Sequence, residues 1–159
     1  MHLEISTELG CSPDQAWQQV QTTRLMKHVT RPLLFFEPLE PPVWPDVWEE
    51  KAYLCRTNLL GFLPLGKQWI DVRFSGPDPA HTNQTYQVCD KGRGDLVRKW
   101  DHLVVIEGTP AGKTRYTDRL EIEAGILTPL VWLYGQVFYR HRQRRWRNLA
   151  RSGFDYGRE

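Results

Sequence analysis

From Lys99 onward the sequence leaves few folds open. Trp100, His102, Val104 and Ile106 alternate with Lys99, Asp101 and Glu107; Thr114, Tyr116, Asp118, Leu120 and Ile122 alternate with Arg115, Arg119, Glu121 and Glu123. Period two with one charged face describes two half-buried strands, over 96–107 and 114–123, joined by a Gly/Pro turn at 108–112. Gly125 to Pro129 ends the second strand, and 130–150 then run without proline, interrupted only by Gly135. Leu130, Tyr134, Val137, Phe138, His141 and Leu149 recur there at three- and four-residue spacing, which predicts a long helix, apolar in its first half and basic in its second. A bent antiparallel sheet exposes a concave apolar face that needs a cover, and this helix is the one candidate. A single helix cannot fill the whole concavity, so a cavity is expected between the two.

Upstream, Leu3, Ile5, Thr7 and Leu9 alternate with His2, Glu4, Ser6 and Glu8 as a first strand. Ser12-Pro13-Asp14-Gln15 is a helix start with a capping box, leading into a short helix through Val20. A second short helix is expected over 23–28. Residues 29–48 carry five prolines, which restricts them to a brief edge strand near 33–37 and a rigid loop. The Phe and Trp residues of this loop suit either the mouth of a cavity or a plug at one end of the core. Strands are then expected over 50–59, 67–74 and 84–89, separated by turns at GFLPLG, SGPDPAHT and DKGRGD. The predicted fold is α+β: one domain over 1–159, with a curved antiparallel sheet of about seven strands around a long C-terminal helix.

Both apolar faces of the last two strands must point inward, because a one-residue slip would turn their charges into the core. A register centred on Pro110 satisfies this, placing His102 opposite Asp118, Trp100 opposite Leu120 and Val104 opposite Tyr116. The inward set Trp100, His102, Ile106, Tyr116, Asp118 and Ile122, with Trp69 on the strand 67–74 and Tyr134 and Phe138 on the helix, is the candidate ligand-binding wall. A buried aspartate needs a partner. His102 and Asp118 therefore form a register-fixing polar pair, orient a ligand, or act as a general base held by its carboxylate.

Composition narrows the function classes. Cys11, Cys55 and Cys89 are widely spaced and lack a C-x-x-C pattern, which argues against a disulfide framework or a zinc site and suits a reducing, cytoplasmic setting. The N-terminus has no continuous apolar run of the signal-peptide kind. The histidines show no metal-ligand spacing, no phosphate loop or nucleophile motif occurs, and no cofactor is expected. Of the charged residues, 1–139 hold 14 Lys/Arg against 17 Asp/Glu, whereas 140–159 hold 7 against 2. Five arginines between Arg140 and Arg147 could meet phosphates of lipid or nucleic acid. On a helix they spread around the circumference, which favours a solvated, salt-bridged helix end; nucleic acid is disfavoured, and any membrane contact would be transient.

At these residues the sequence resembles the SRPBCC superfamily, also called START-like, which includes the birch-pollen allergen fold. The element order matches its helix-grip architecture over nearly the whole chain. GDLVRKWDHLVV followed by TRYTDRLEIEAG and a long basic helix is similar to the cell-division-inhibitor-like and polyketide-cyclase/dehydrase-like bacterial branch. That branch shows Trp-x-His on the penultimate strand and Thr-x-x-x-Asp on the last, here Trp100, His102, Thr114 and Asp118; Gly61–Gly66 is similar to its Gly-x-x-Pro segment. Val104 stands where the branch often has a second His or Arg, so the implied polar site is smaller here. The resemblance implies a binder of a hydrophobic small molecule such as a lipid, polyketide or aromatic metabolite. It also admits a cyclase/dehydratase using His102 with Asp118. A module acting through the Arg140–Arg147 helix end is the third expectation.

Overall fold

The computed structural model describes residues 1–77 and 85–157. In chain order the elements are β1 (His2–Leu9), α1 (Pro13–Val20), α2 (Thr23–Thr30), β2 (Leu34–Glu40), β3 (Ala52–Leu59), β4 (Leu63–Ser75), β5 (Thr85–Gly94), β6 (Lys99–Gly108), β7 (Thr114–Glu123) and, after one 3₁₀ turn, α3 (Thr128–Arg151). The strands form one antiparallel sheet in the order β1-β7-β6-β5-β4-β3-β2. This is the expected α+β helix-grip architecture. The capping box also forms: Ser12 Oγ accepts the Gln15 N–H at 3.2 Å, and Gln15 Oε1 accepts the Ser12 N–H at 3.1 Å.

Two glycine-rich segments read as turns lie within strands. β5 runs through Gly92 and Gly94 because the neighbouring backbone passes too close for a side chain. A Cβ at Gly94 would sit 2.4 Å from the Lys67 carbonyl, and one at Gly92 2.9 Å from the Trp100 carbonyl. The turn comes later, closed by the Gly94 N–H on the Val97 carbonyl at 2.8 Å, so Leu96 and Val97 belong to it and β6 begins at Lys99. In GFLPLG only the first residues turn; Leu63–Gly66 open β4, beside a register shift between Thr57 and Asn58. Most of the turn expected at SGPDPAHT, and Gln84, lie outside the described residues.

The β6–β7 register also differs, by two residues. Trp100 faces Ile122, His102 faces Leu120, Val104 faces Asp118 and Ile106 faces Tyr116. The hairpin closes through the Thr109 N–H on the Lys113 carbonyl at 2.8 Å, with Gly112 at φ +71°, and this centres it on Ala111 instead of Pro110. An even shift keeps every side chain on its expected face.

The buried face of α3 matches the expected one at Phe138 and Leu149 but not throughout. Phe138, Tyr139, Gln143, Trp146, Leu149 and Ala150 are buried, whereas Leu130 and Val137 are mostly exposed. The helix packs on β1, β7 and α2 and so covers one side of the concave face. Trp146 anchors its C-terminal half among Leu9, Tyr116, Ile106 and Leu25. Trp44 and Trp48 of the Pro-rich loop pack on Tyr53, Ile70 and Val72 at one end of the core, and Trp48 also lines the cavity described below, so the loop takes part in both expected roles. Among the described residues no helix is long and apolar enough to cross a membrane.

Trp146 is fully buried, and its indole N–H finds no acceptor among the described residues. Trp146→Ala is expected to cost about 3–5 kcal/mol of unfolding free energy by chemical denaturation. Trp146→Phe, which removes the orphan donor with most of the ring kept, should cost less than half as much. Equal losses would show that ring burial is not what holds this end of the helix.

Candidate functional site

Because α3 leans to one side, the sheet's other half encloses a cavity of about 400 Å³. Its walls are apolar: Leu34 and Phe36 from β2, Ile70 and Val72 from β4, Val88 from β5, Trp100 and Val104 from β6, and Tyr134 and Phe138 from α3. Leu65, Leu96 and Leu130 also line it, the last two exposed to solvent.

Of the residues expected to form the wall, Trp100, His102, Tyr134 and Phe138 line this cavity. Ile106, Tyr116, Asp118 and Ile122 do not; they are wholly buried in the core beneath α3, on the side of the sheet that the helix covers. Trp69 does not line it either and lies near the Arg93 guanidinium, 5.9 Å from it. The even positions of β7 do point inward as expected, but the helix reaches them first.

Asp118 is the centre of the polar arrangement. His102 Nε2 lies 2.8 Å from its Oδ1, which also accepts the Tyr116 hydroxyl at 3.2 Å; Gln143 Nε2 donates to Oδ2 at 2.9 Å and to the Ile5 carbonyl at 2.6 Å. Arg142 donates to the Tyr116 hydroxyl at 3.2 Å, with Nη1 3.9 Å from Asp118 Oδ1. Burial pushes the Asp118 carboxyl up, but Arg142, His102 and Gln143 outweigh it and hold the group below the usual carboxylate range. Burial holds His102 below the ordinary imidazole range against the pull of Asp118. The ring is therefore neutral, and the ionised carboxylate selects the tautomer with the proton on Nε2. His102 and Asp118 are bonded although not directly opposite, a diagonal contact within reach of an imidazole.

Arg142 and Asp90 were not among the residues expected to line the cavity. Arg142 belongs to the run read as a solvated helix end, yet its side chain is largely buried and faces the cavity, spaced four residues from Phe138 on the inner stripe. The rest of the run divides: Arg145 donates to the His28 carbonyl at 2.8 Å, Arg147 to Thr7 at 3.0 Å, and Arg144 is exposed. Asp90, in a segment read as a turn, lines the cavity from β5 and faces His102 across the ladder. Alternation from Val88 to Asp90 was the signal available for it. Burial pushes its carboxyl up to about 8, against the lowering effects of the Asp71 N–H, which it accepts at 2.9 Å, and of Arg142. Among the described residues no group of three His, Cys, Asp or Glu side chains is placed to hold a metal ion.

The folded protein keeps the Asp90 proton up to about pH 8, whereas an unfolded chain releases it near about pH 3.9. Between those values the folded state binds more protons, so this group lowers stability as pH rises through the window. Asp90→Asn should match the wild type near pH 4 and gain on it toward pH 8, by several degrees in melting temperature. Parallel melting profiles across that range would show that Asp90 ionises freely.

No protein-family model matches the chain, and no curated protein matches it. Solved structures do. A protein from Thermus thermophilus superposes at TM-score 0.64 and 12% identity, over 96% of this chain and 99% of that one. A START superfamily protein from Mycobacterium smegmatis gives 0.62 and 12%, over 95% and 97%. The Zhui aromatase/cyclase from Streptomyces sp. R1128 gives 0.54 and 14%, over 98% and 93%. With the seven-stranded sheet and the long terminal helix, these likenesses show that the chain has the SRPBCC/START-like helix-grip fold.

Proposed function

We propose that the protein binds a hydrophobic small molecule, of the lipid, polyketide or aromatic-metabolite kind, in the cavity between sheet and helix. The observation that carries this reading is a predominantly apolar cavity of about 400 Å³ in whose lining Asp90, His102, Tyr139 and Arg142 lie near one another. Ligand sites are of this size and make-up, about 300–1,000 Å³. Binding would be driven by removing apolar surface from water, with about 25 cal/mol gained per Å². Trp100, Tyr134 and Phe138 would supply rigid contact area, and His102 would help to orient the guest. Ile106, Tyr116, Asp118, Ile122 and Trp69 would act from outside the cavity, through the packing and charge of its supports.

A second reading is favoured by the 2.8 Å contact between His102 and a wholly buried Asp118. A neutral imidazole on the cavity wall, oriented by a carboxylate, could serve as acid or base in a cyclase/dehydratase reaction. The likeness to an aromatase/cyclase supports this reading at the level of fold.

The neutral fluorophore N-phenyl-1-naphthylamine is expected to bind at one site per chain, with enhanced emission. Val88→Trp, which fills the cavity from its wall, should weaken that binding by at least about tenfold without lowering the melting temperature. Unchanged binding would place the probe elsewhere and remove the main support. For the second reading, a poly-β-keto thioester should be cyclised by the wild type and not by His102→Gln. Equal product from both would end it.

A further inference from the structure

The polar end of the cavity is unbalanced between donors and acceptors. Both Asp118 oxygens are already occupied, by His102 and Tyr116 on Oδ1 and by Gln143 on Oδ2. Asp118 is also wholly buried and does not line the cavity, so these oxygens are out of a guest's reach. Tyr139 accepts the Trp100 indole N–H at 3.3 Å, and its own hydroxyl proton has no acceptor among the described residues. Arg142 has one hydrogen bond among the described residues, to Tyr116, for five N–H groups. Asp90 accepts one backbone N–H through Oδ1, and its other oxygen has no donor among the described residues. Tyr139, Arg142 and Asp90 all line the same cavity.

Charge balance limits what can satisfy these groups. The Arg142 and Asp118 charges lie 3.9 Å apart and neutralise each other. Lys67 and Arg93 also line the cavity but are exposed; a carboxylate buried beside Arg142 would add a negative charge next to a pair that is already neutral, which is costly in such surroundings. An ammonium would have the Asp90 carboxyl as an acceptor but would lie beside the like charge of the Arg142 guanidinium, with the Tyr139 hydroxyl proton and the Arg142 N–H groups unsatisfied. A neutral oxygen acceptor fits both constraints. We propose that Asp90, Tyr139 and Arg142 form a carbonyl-recognising end of this cavity, so that its apolar guest carries an uncharged ketone, ester or amide oxygen. The proposal rests on the ligand-binding reading above and names the chemistry of the guest.

Asp90 sets the pH range of this recognition. The charged and titratable groups around it are Asp71 on β4, Asp101 and His102 on β6, and Arg142 on α3. The two acids oppose its ionisation and the arginine favours it, with burial dominant. While protonated, Asp90 donates to a carbonyl; once ionised it repels one.

The test is displacement of N-phenyl-1-naphthylamine by 2-dodecanone, dodecanoate and dodecylammonium at pH 7. The ketone should displace the fluorophore at the lowest concentration. Asp90→Leu removes the donor without adding charge and should weaken the ketone about tenfold relative to the fluorophore measured in the same variant, the size of one buried hydrogen bond. Asp90→Asn keeps a donor. It should retain ketone affinity at pH 7 and abolish the loss that the wild type shows between pH 7 and pH 9.5. Stronger displacement by dodecanoate or dodecylammonium, or full ketone affinity in Asp90→Leu, would overturn the proposal. If the fluorophore itself does not bind, the cavity reading fails first, which separates the two.

Discussion

The position of α3 depends on one buried carboxylate. Asp118 has no solvent exposure, and an ionised group in that setting persists only with a full set of partners. Those partners come from β6 through His102, from β7 through Tyr116, and from α3 through Gln143 and Arg142. Gln143 also reaches β1, at the Ile5 carbonyl. One residue thus ties the helix to the β1-β7-β6 side of the sheet. Breaking such a buried set by removing one partner costs about 3–5 kcal/mol, so the helix has a strong reason to lean this way. The space over β4 and β5 is what that lean leaves open.

The same arrangement divides the interior into two regions with different roles. Beneath the helix, Ile106, Tyr116 and Ile122 are close-packed with Trp146 and Tyr139 and serve stability. Beyond it, Val72, Val88, Val104 and Phe138 face each other across free volume. Polar groups sit at the boundary, where α3 presents Arg142 toward the cavity and Gln143 toward Asp118 on adjacent positions of one helix. Neighbouring residues on a helix point about 100° apart, which lets one turn serve both regions.

Much of the architecture was legible in the sequence because period-two alternation and the proline-free stretch each admit one reading. The order of elements along the chain and the inward faces of the last two strands followed from them. The hairpin register did not, because two registers differing by two residues bury the same face, and only the turn at Thr109–Lys113 chooses between them. Gly92 and Gly94 misled for a physical reason: glycine marks close backbone approach as well as turns, and these two serve the former. The site was legible in part. His102 and Trp100 stood out as polar and aromatic positions on an alternating strand. Arg142 was hidden because an arginine-rich helix reads as solvated when composition alone is weighed. Asp90 was hidden because it lay in an assumed turn. Neither burial nor the side on which α3 leans is encoded in local spacing.

The central claim is that the helix stands away from β4 and β5 and leaves an apolar space that a guest can enter. Crystals of the protein pressurised with xenon test it most directly, since xenon enters dry apolar cavities without requiring any polar recognition. Xenon should appear between Val72, Val88 and Phe138, with α3 still bonded to Asp118. An interior filled by side chains, with the helix settled onto β4 and β5 and no xenon there, would contradict the account.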